Sequence, residues 1–204
     1  MLYNTCDTLW SMPKVVDADE RRAEITDAAA RLIARAGVGA ATLRDVAAEA
    51  GWTTGAITHY FDDKQELLLR TFEASLEHRL SLRVERESTA QTRPIDALRS
   101  SLEGALPVDA DSRRHWLVTV AFCSQAAGDP ELARAQRDAY REFRDHVSRL
   151  VVEADLADAA YADALAERLI AAADGIAVQA LFDPEHWSAK RQRDTLAAAT
   201  AHVL

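Results

Sequence analysis

What most limits the fold of this 204-residue chain is its periodicity. From Ala18 onward, apolar side chains recur at three- and four-residue intervals, interrupted by glycine or proline, and no stretch shows the alternation that marks a strand. Ile25, Ala28, Ala29, Leu32, Ile33 and Ala36 share one face of a first helix. Arg21, Arg22, Glu24 and Arg31 lie off it, and Gly37 stands where a C-cap glycine ends such a helix. Thr42 followed by Asp45 resembles a capping box with a shortened acid, opening a second helix through Leu43, Val46, Ala47 and Ala50 that Gly51 stops. A short third helix fits Thr53 to Tyr60 with Thr53 as its cap. Asp62 or Asp63 starts a fourth through Leu67, Leu68, Phe72, Leu76 and Leu80. Further helices are expected at 94–105, 112–127, 130–154, 160–181 and 186–203, so the chain is predicted to be all-α.

Composition removes several classes of function. The two cysteines, Cys6 and Cys123, form no CxxC or Cys/His cluster, which excludes a disulfide scaffold, speaks against structural zinc and fits a reducing cytoplasm. No apolar run approaches the roughly 18 residues that span a bilayer, and residues 1–12 lack the basic and apolar regions of a secretory signal. With 24 basic and 33 acidic side chains the formal charge is -9, which argues against coating nucleic acid by bulk charge. Only three lysines, Lys14, Lys64 and Lys190, stand among twenty-one arginines, so a lysine is a position to inspect.

The second and third helices, both short and joined across Gly51, suggest a helix-turn-helix. Such a motif lays its second helix in the major groove of DNA. Thr53, Thr54, Thr58, His59 and Tyr60 offer hydroxyls and an imidazole, Gly55 permits close backbone approach, and Ala56 leaves room for a thymine methyl. Ile57 and Phe61 are expected to face inward. Lys64, in the first turn of the next helix, is placed to hold a phosphate together with that helix's backbone N–H groups.

The segment AATLRDVAAEAGWTTGAITHYFDDKQELL, Ala40 to Leu68, resembles the DNA-binding module of TetR-family transcriptional regulators, and the likeness extends back through RRAEITDAAARLIARAG. The resemblance implies that Thr42, Tyr60 and Lys64 grip phosphates, with Arg44 beside them, and that Thr53, Thr54, Gly55, Thr58 and His59 form the recognition helix. Trp52 departs from the smaller apolar residue usual there, which bears on how the recognition helix is tilted. HWLVTVAFCSQAAGDPELARAQRDAYREF and AADGIAVQALF are similar, less specifically, to the C-terminal domain of the BetI-like branch.

The expected organisation is an arm or over-called start at 1–12, the DNA-binding domain at 13–64 and an effector-binding and dimerisation domain at 65–204; the charged stretch from Arg83 to Arg93, closed by Pro94, is the best candidate boundary by composition. The arm is predicted to be disordered. Residues 13–64 carry seven basic and nine acidic side chains, so specific geometry must supply what bulk charge does not. For a small-molecule effector the candidates are Trp116, Phe122, Cys123, Gln125, Tyr140 and Phe143, apolar and polar groups on helical stripes for which plain core packing is the competing reading. For a homodimer interface they are Leu165, Leu169, Ala173, Ile176, Ala177, Leu181, Trp187 and Leu196, with packing inside one chain as the alternative. Two recognition helices in such a dimer would read a palindromic operator.

The reading is therefore a ligand-released repressor that needs no cofactor. The competing class, a helical enzyme using Asp174, His115 or Cys123, lacks any recognisable catalytic motif, and the histidines at 59, 78, 115, 146, 186 and 202 show no metal-ligand pairing in their spacing.

Overall fold

The computed structural model describes residues 18–88, 93–201 and 203, with the side chains of 83–88 left aside. The expectation about residues 1–12 lies outside the described residues. Within them the chain forms nine α-helices and one 3₁₀ turn, and no strand. The helices are α1 (Ala18–Ala36), α2 (Leu43–Ala50), α3 (Thr54–Ile57), α4 (Lys64–Ser88), α5 (Pro94–Glu103), α6 (Ala110–Ala126), α7 (Pro130–Glu153), α8 (Ala159–Phe182) and α9 (Ala189–Thr200).

Capping chemistry explains most of these boundaries. Gly37 (φ 79°) and Gly51 (φ 75°) end α1 and α2 in the left-handed region, where a side chain would be strained. Asp109 caps α6 through a reciprocal box with Ser112, and Asp129 and Asp158 accept the first free N–H groups of α7 and α8. Thr42 caps α2 by accepting from the Asp45 N–H at 3.2 Å. The expected box is not reciprocal: the Asp45 carboxylate takes the Thr42 hydroxyl at 2.5 Å, while the Thr42 N–H bonds to Ala40. Two other boundaries move. The third helix is shorter than expected, because the His59 and Tyr60 N–H groups tighten into i→i−3 bonds, and α4 continues to Ser88 through part of the charged stretch read as a boundary.

Two main apolar cores result. The first joins Ile25, Ile33, Val46, Ile57 and Phe61 of the N-terminal helices to Leu67, Leu68 and Phe72 of α4, and then to Val118, Phe122 and Leu132 of α6 and α7. Packing therefore runs without a break across residue 64. The second gathers Leu98 and Leu102 of α5, Val147 and Val151 of α7, and the inner faces of α8 and α9.

Candidate functional site

The N-terminal head presents its polar residues on one exposed turn. Thr53 caps α3 by accepting from the Ala56 N–H at 3.2 Å, which sets the direction of the helix. Thr53, Thr54, Gly55, Thr58 and His59 are all exposed, while Ile57 and Phe61 anchor the turn from below. Thr58 donates its hydroxyl to the Gly55 carbonyl at 2.9 Å. Beyond its own helical turn, a Cβ built on Gly55 would meet none of the described residues within 4 Å, so their packing does not require a glycine there. Thr42 and Arg44 are exposed on α2. Trp52, the departure from the usual pattern, is half-buried: Tyr60 meets it edge-on at 6.1 Å and the Arg21 guanidinium sits 4.6 Å above its ring, tying α1 to the turn. Arg31 and Arg35 of α1 reach Glu49 of α2 at 3.4 and 2.7 Å, and the Arg35 contact holds the Glu49 carboxyl below its ordinary range.

Lys64 does open α4, but its first turn is not arranged as expected. The Lys64 ammonium donates to the Val38 carbonyl at 2.7 Å, and Asp63 accepts the Glu66 N–H at 2.8 Å. An ammonium has three donors, so the bond to Val38 leaves two for another acceptor.

A second feature is a cavity of about 510 Å³ among α4 to α8. Its wall includes Phe72, Trp116, Tyr140 and Phe143, the acidic residues Glu73, Glu77, Glu142 and Asp174, and Arg79. The Trp116 indole N–H donates to the Ala105 carbonyl at 2.6 Å, locking the ring, and Arg79 lies 5.7 Å from that ring's centre. Tyr140 donates its hydroxyl to Asp174 at 2.7 Å. Burial pushes the Asp174 carboxyl up despite that bond, and burial with the neighbouring Asp174 charge pushes the Tyr140 phenol up as well. At the cavity wall Gln136 adds a buried Oε1 with no hydrogen-bond partner among the described residues.

Of the six effector candidates, Trp116, Tyr140 and Phe143 line this cavity; the other three do not. Phe122 is fully buried behind the wall, stacked on Phe72 at 3.9 Å with planes 4° apart. Cys123 is half-buried outside the wall, its thiol pushed up by burial and then by Asp174, and Gln125 is exposed at the end of α6. Arg79, Gln136 and Asp174 were missed as wall residues, because helical spacing marks a polar residue as off the apolar stripe without saying what it faces.

The dimer candidates lie mostly in the interior of the chain. Leu165, Leu169, Ala173, Ile176 and Leu196 belong to the second core, Ala177 and Leu181 pack on Trp116, and Trp187 is half-buried against the second core. All of them but Trp187 are buried within the single chain. The exposed face of α8 carries Ala171, Gly175, Val178 (39% exposed) and Phe182 (76%), and α9 exposes Ala197, Ala198 and Ala199. Among the described residues no helix is long and apolar enough to cross a membrane.

An exposed, threonine-rich second helix on a three-helix head, joined by one long helix to a cavity-bearing bundle, defines a helix-turn-helix transcriptional regulator. Residues 25–71 match the bacterial regulatory proteins of the tetR family, residues 94–204 match the C-terminal domain of BetI-type transcriptional repressors, and the chain belongs to the TetR family. It is 30% identical over 174 residues to the regulator PksA of Bacillus subtilis, covering 85% of this chain and 84% of that protein. It is 38% identical over 128 residues to the regulator BetI of Burkholderia cenocepacia, covering 61% and 64%. Among solved structures, a Rhodococcus transcriptional regulator superposes with a TM-score of 0.81 at 26% identity, covering 90% of this chain and 95% of that one. A Saccharomonospora viridis regulator solved in complex with choline superposes with a TM-score of 0.82 at 26% identity, covering 90% and 97%. These families and relatives are transcriptional regulators and not enzymes.

Proposed function

We propose that this chain is a homodimeric repressor acting in the cytoplasm, released from a palindromic operator when a small organic cation fills the cavity. The observation that carries this reading is the sharing of α4: Leu67, Leu68 and Phe72 belong to the core of the head, while Phe72, Glu73, Leu76 and Arg79 line the cavity. An effector that moves α4 changes the spacing of the two recognition helices, and by linkage DNA and effector then oppose each other. Thr53, Thr54, Gly55, Thr58 and His59 read base edges, while Thr42, Arg44, Tyr60 and Lys64 hold phosphates. Gly55, with open space where a Cβ would project, supports close backbone approach.

The cationic class follows from the wall. Trp116, Tyr140 and Phe143 offer aromatic surface and Asp174 a partly desolvated carboxylate, a combination that favours an alkylammonium group. The choline bound to the Saccharomonospora regulator is of this class. The dimer would use the exposed face of α8 around Gly175, Val178 and Phe182.

The test is fluorescence anisotropy of the full chain against DNA flanking its coding region, with and without choline chloride. Tight, palindrome-dependent binding that choline weakens supports the proposal; binding unchanged by choline removes the cationic effector, and equal weak binding to random DNA removes the operator reading. Lys64→Ala and Tyr60→Phe should both lower affinity, and Lys64→Ala should flatten the salt slope by about one unit per phosphate lost. Because Lys64 also holds Val38, thermal melts of the variants separate a lost phosphate contact from a loosened turn.

A further inference from the structure

Away from the recognition turn, α4 and α6 bring together three groups with metal-ligating chemistry whose pairing is invisible in sequence spacing. His78 of α4 and Asp111 and His115 of α6 place one donor atom each within 4.8 Å of one another. His78 Nε2 lies 2.8 Å from Asp111 Oδ2, and His115 Nε2 lies 3.6 Å from the same oxygen. The two imidazole rings overlap with centres 4.6 Å apart. Asp111 and His115 are one helical turn apart, so α6 offers both from one face, and α4 supplies the third donor across the helix pair.

The state of His115 gives this cluster its meaning. Its side chain is only 8% exposed, its Nδ1 is 2.6 Å from the Ser75 hydroxyl, and its Nε2 is buried with no hydrogen-bond partner among the described residues. If Nδ1 carries the proton and donates to Ser75, the Nε2 lone pair faces the Asp111 carboxylate. If Ser75 donates instead, the Nε2–H finds Asp111 too distant for a hydrogen bond. A buried ring nitrogen left without a partner is destabilising, and a bound cation would satisfy it.

We propose that His78, Asp111 and His115 form a site for a divalent first-row transition-metal ion, with two imidazole nitrogens and one carboxylate oxygen as ligands and water in the remaining positions. Two nitrogens and one oxygen suit zinc, cobalt or nickel better than calcium or magnesium, which prefer all-oxygen shells. Ligands about 2.0–2.2 Å from a shared ion stand roughly 3–3.5 Å apart, close to the observed 2.8 and 3.6 Å. Ser75 orients the His115 ring from behind, as the partner of a ligating histidine does. Arg114 binds the other carboxylate oxygen at 2.5 Å, leaving Oδ2 toward the histidines, and its positive charge keeps the site weaker than a structural zinc centre. The bound ion pins α4 to α6 beside the wall of the cavity.

The proposal is tested on untagged full-length protein, stripped with a chelator and dialysed, by calorimetric titration with Zn²⁺ and by the visible absorption of Co²⁺. The expected result is one ion per chain, with affinity lowered at least tenfold in His78→Ala and in Asp111→Asn. His78 is partly exposed, so His78→Ala retains the fold even if the buried His115→Gln variant does not; circular dichroism confirms it for each variant. Failure of the wild-type chain to bind Zn²⁺ at millimolar concentration overturns the site. So does binding that survives both His78→Ala and Asp111→Asn, or a Co²⁺ spectrum dominated by thiolate charge transfer, which would place the ion on a cysteine.

Discussion

The head and the cavity share one long helix yet carry their chemistry in opposite ways. In the head, Thr53, Thr54, Gly55, Thr58 and His59 sit within seven residues of sequence and face outward from a turn held by Ile57 and Phe61. In the cavity, Phe72, Trp116, Tyr140 and Asp174 come from four helices and face inward, each placed by packing between distant segments. The head's polar chemistry is thus grouped locally in sequence, whereas the cavity exists only as long as α4 to α8 keep their arrangement.

That contrast can be broken most forcefully at the proposed dimer face. Phe182→Glu should leave each chain folded but monomeric, and operator affinity should drop by about 10²–10⁴-fold because the second half-site is no longer engaged from the same molecule; sedimentation and anisotropy check this, and an intact dimer would disprove the assignment. Next in size is the shared core. Phe122→Ala removes a fully buried ring stacked on Phe72 and should cost about 3–5 kcal/mol of stability in urea denaturation. It should affect head and cavity together, since Phe72 belongs to both.

Smaller effects separate the two regions. Thr54→Ala should weaken operator binding by about 1–3 kcal/mol, mostly for one base pair, with no change in melting temperature or choline binding. Asp174→Asn should do the reverse, lowering choline affinity about tenfold, or 1.4 kcal/mol, with DNA affinity unchanged in the absence of choline. The least effect is one of pH. Burial raises the Asp174 pKa, so the unfolded chain ionises first, and stability falls as pH rises from the ordinary carboxylate range through the folded value. A bound cation favours the ionised form, so choline affinity should rise over the same interval, and calorimetry across that range should find the slope reduced in Asp174→Asn.

Legibility followed the same division. The helices could be placed because glycine, proline and capping residues act within a turn or two: Gly37, Gly51 and Thr53 hold the positions their local chemistry demands. Phe122 illustrates the limit. A stripe containing Trp116, Phe122 and Cys123 does not say which side chain meets the cavity and which meets Phe72, because both environments are apolar. Leu165, Leu169 and Ile176 show it again: small and branched residues suit close helix approach within one chain as well as between two, and here the partners are α5, α7 and α9 of the same chain. His78 and Asp111, 33 positions apart, meet only because α4 packs against α6.

Backbone hydrogen bonding and side-chain periodicity are short-range, so the order of helices, their ends and the outward chemistry of the recognition turn can be read along the chain. The inward groups depend on how helices cross, which is settled by the simultaneous fit of many side chains. That long-range fit places Asp174 beside Tyr140, buries Phe122 behind Phe72, turns Phe182 outward and brings His78 to Asp111 and His115.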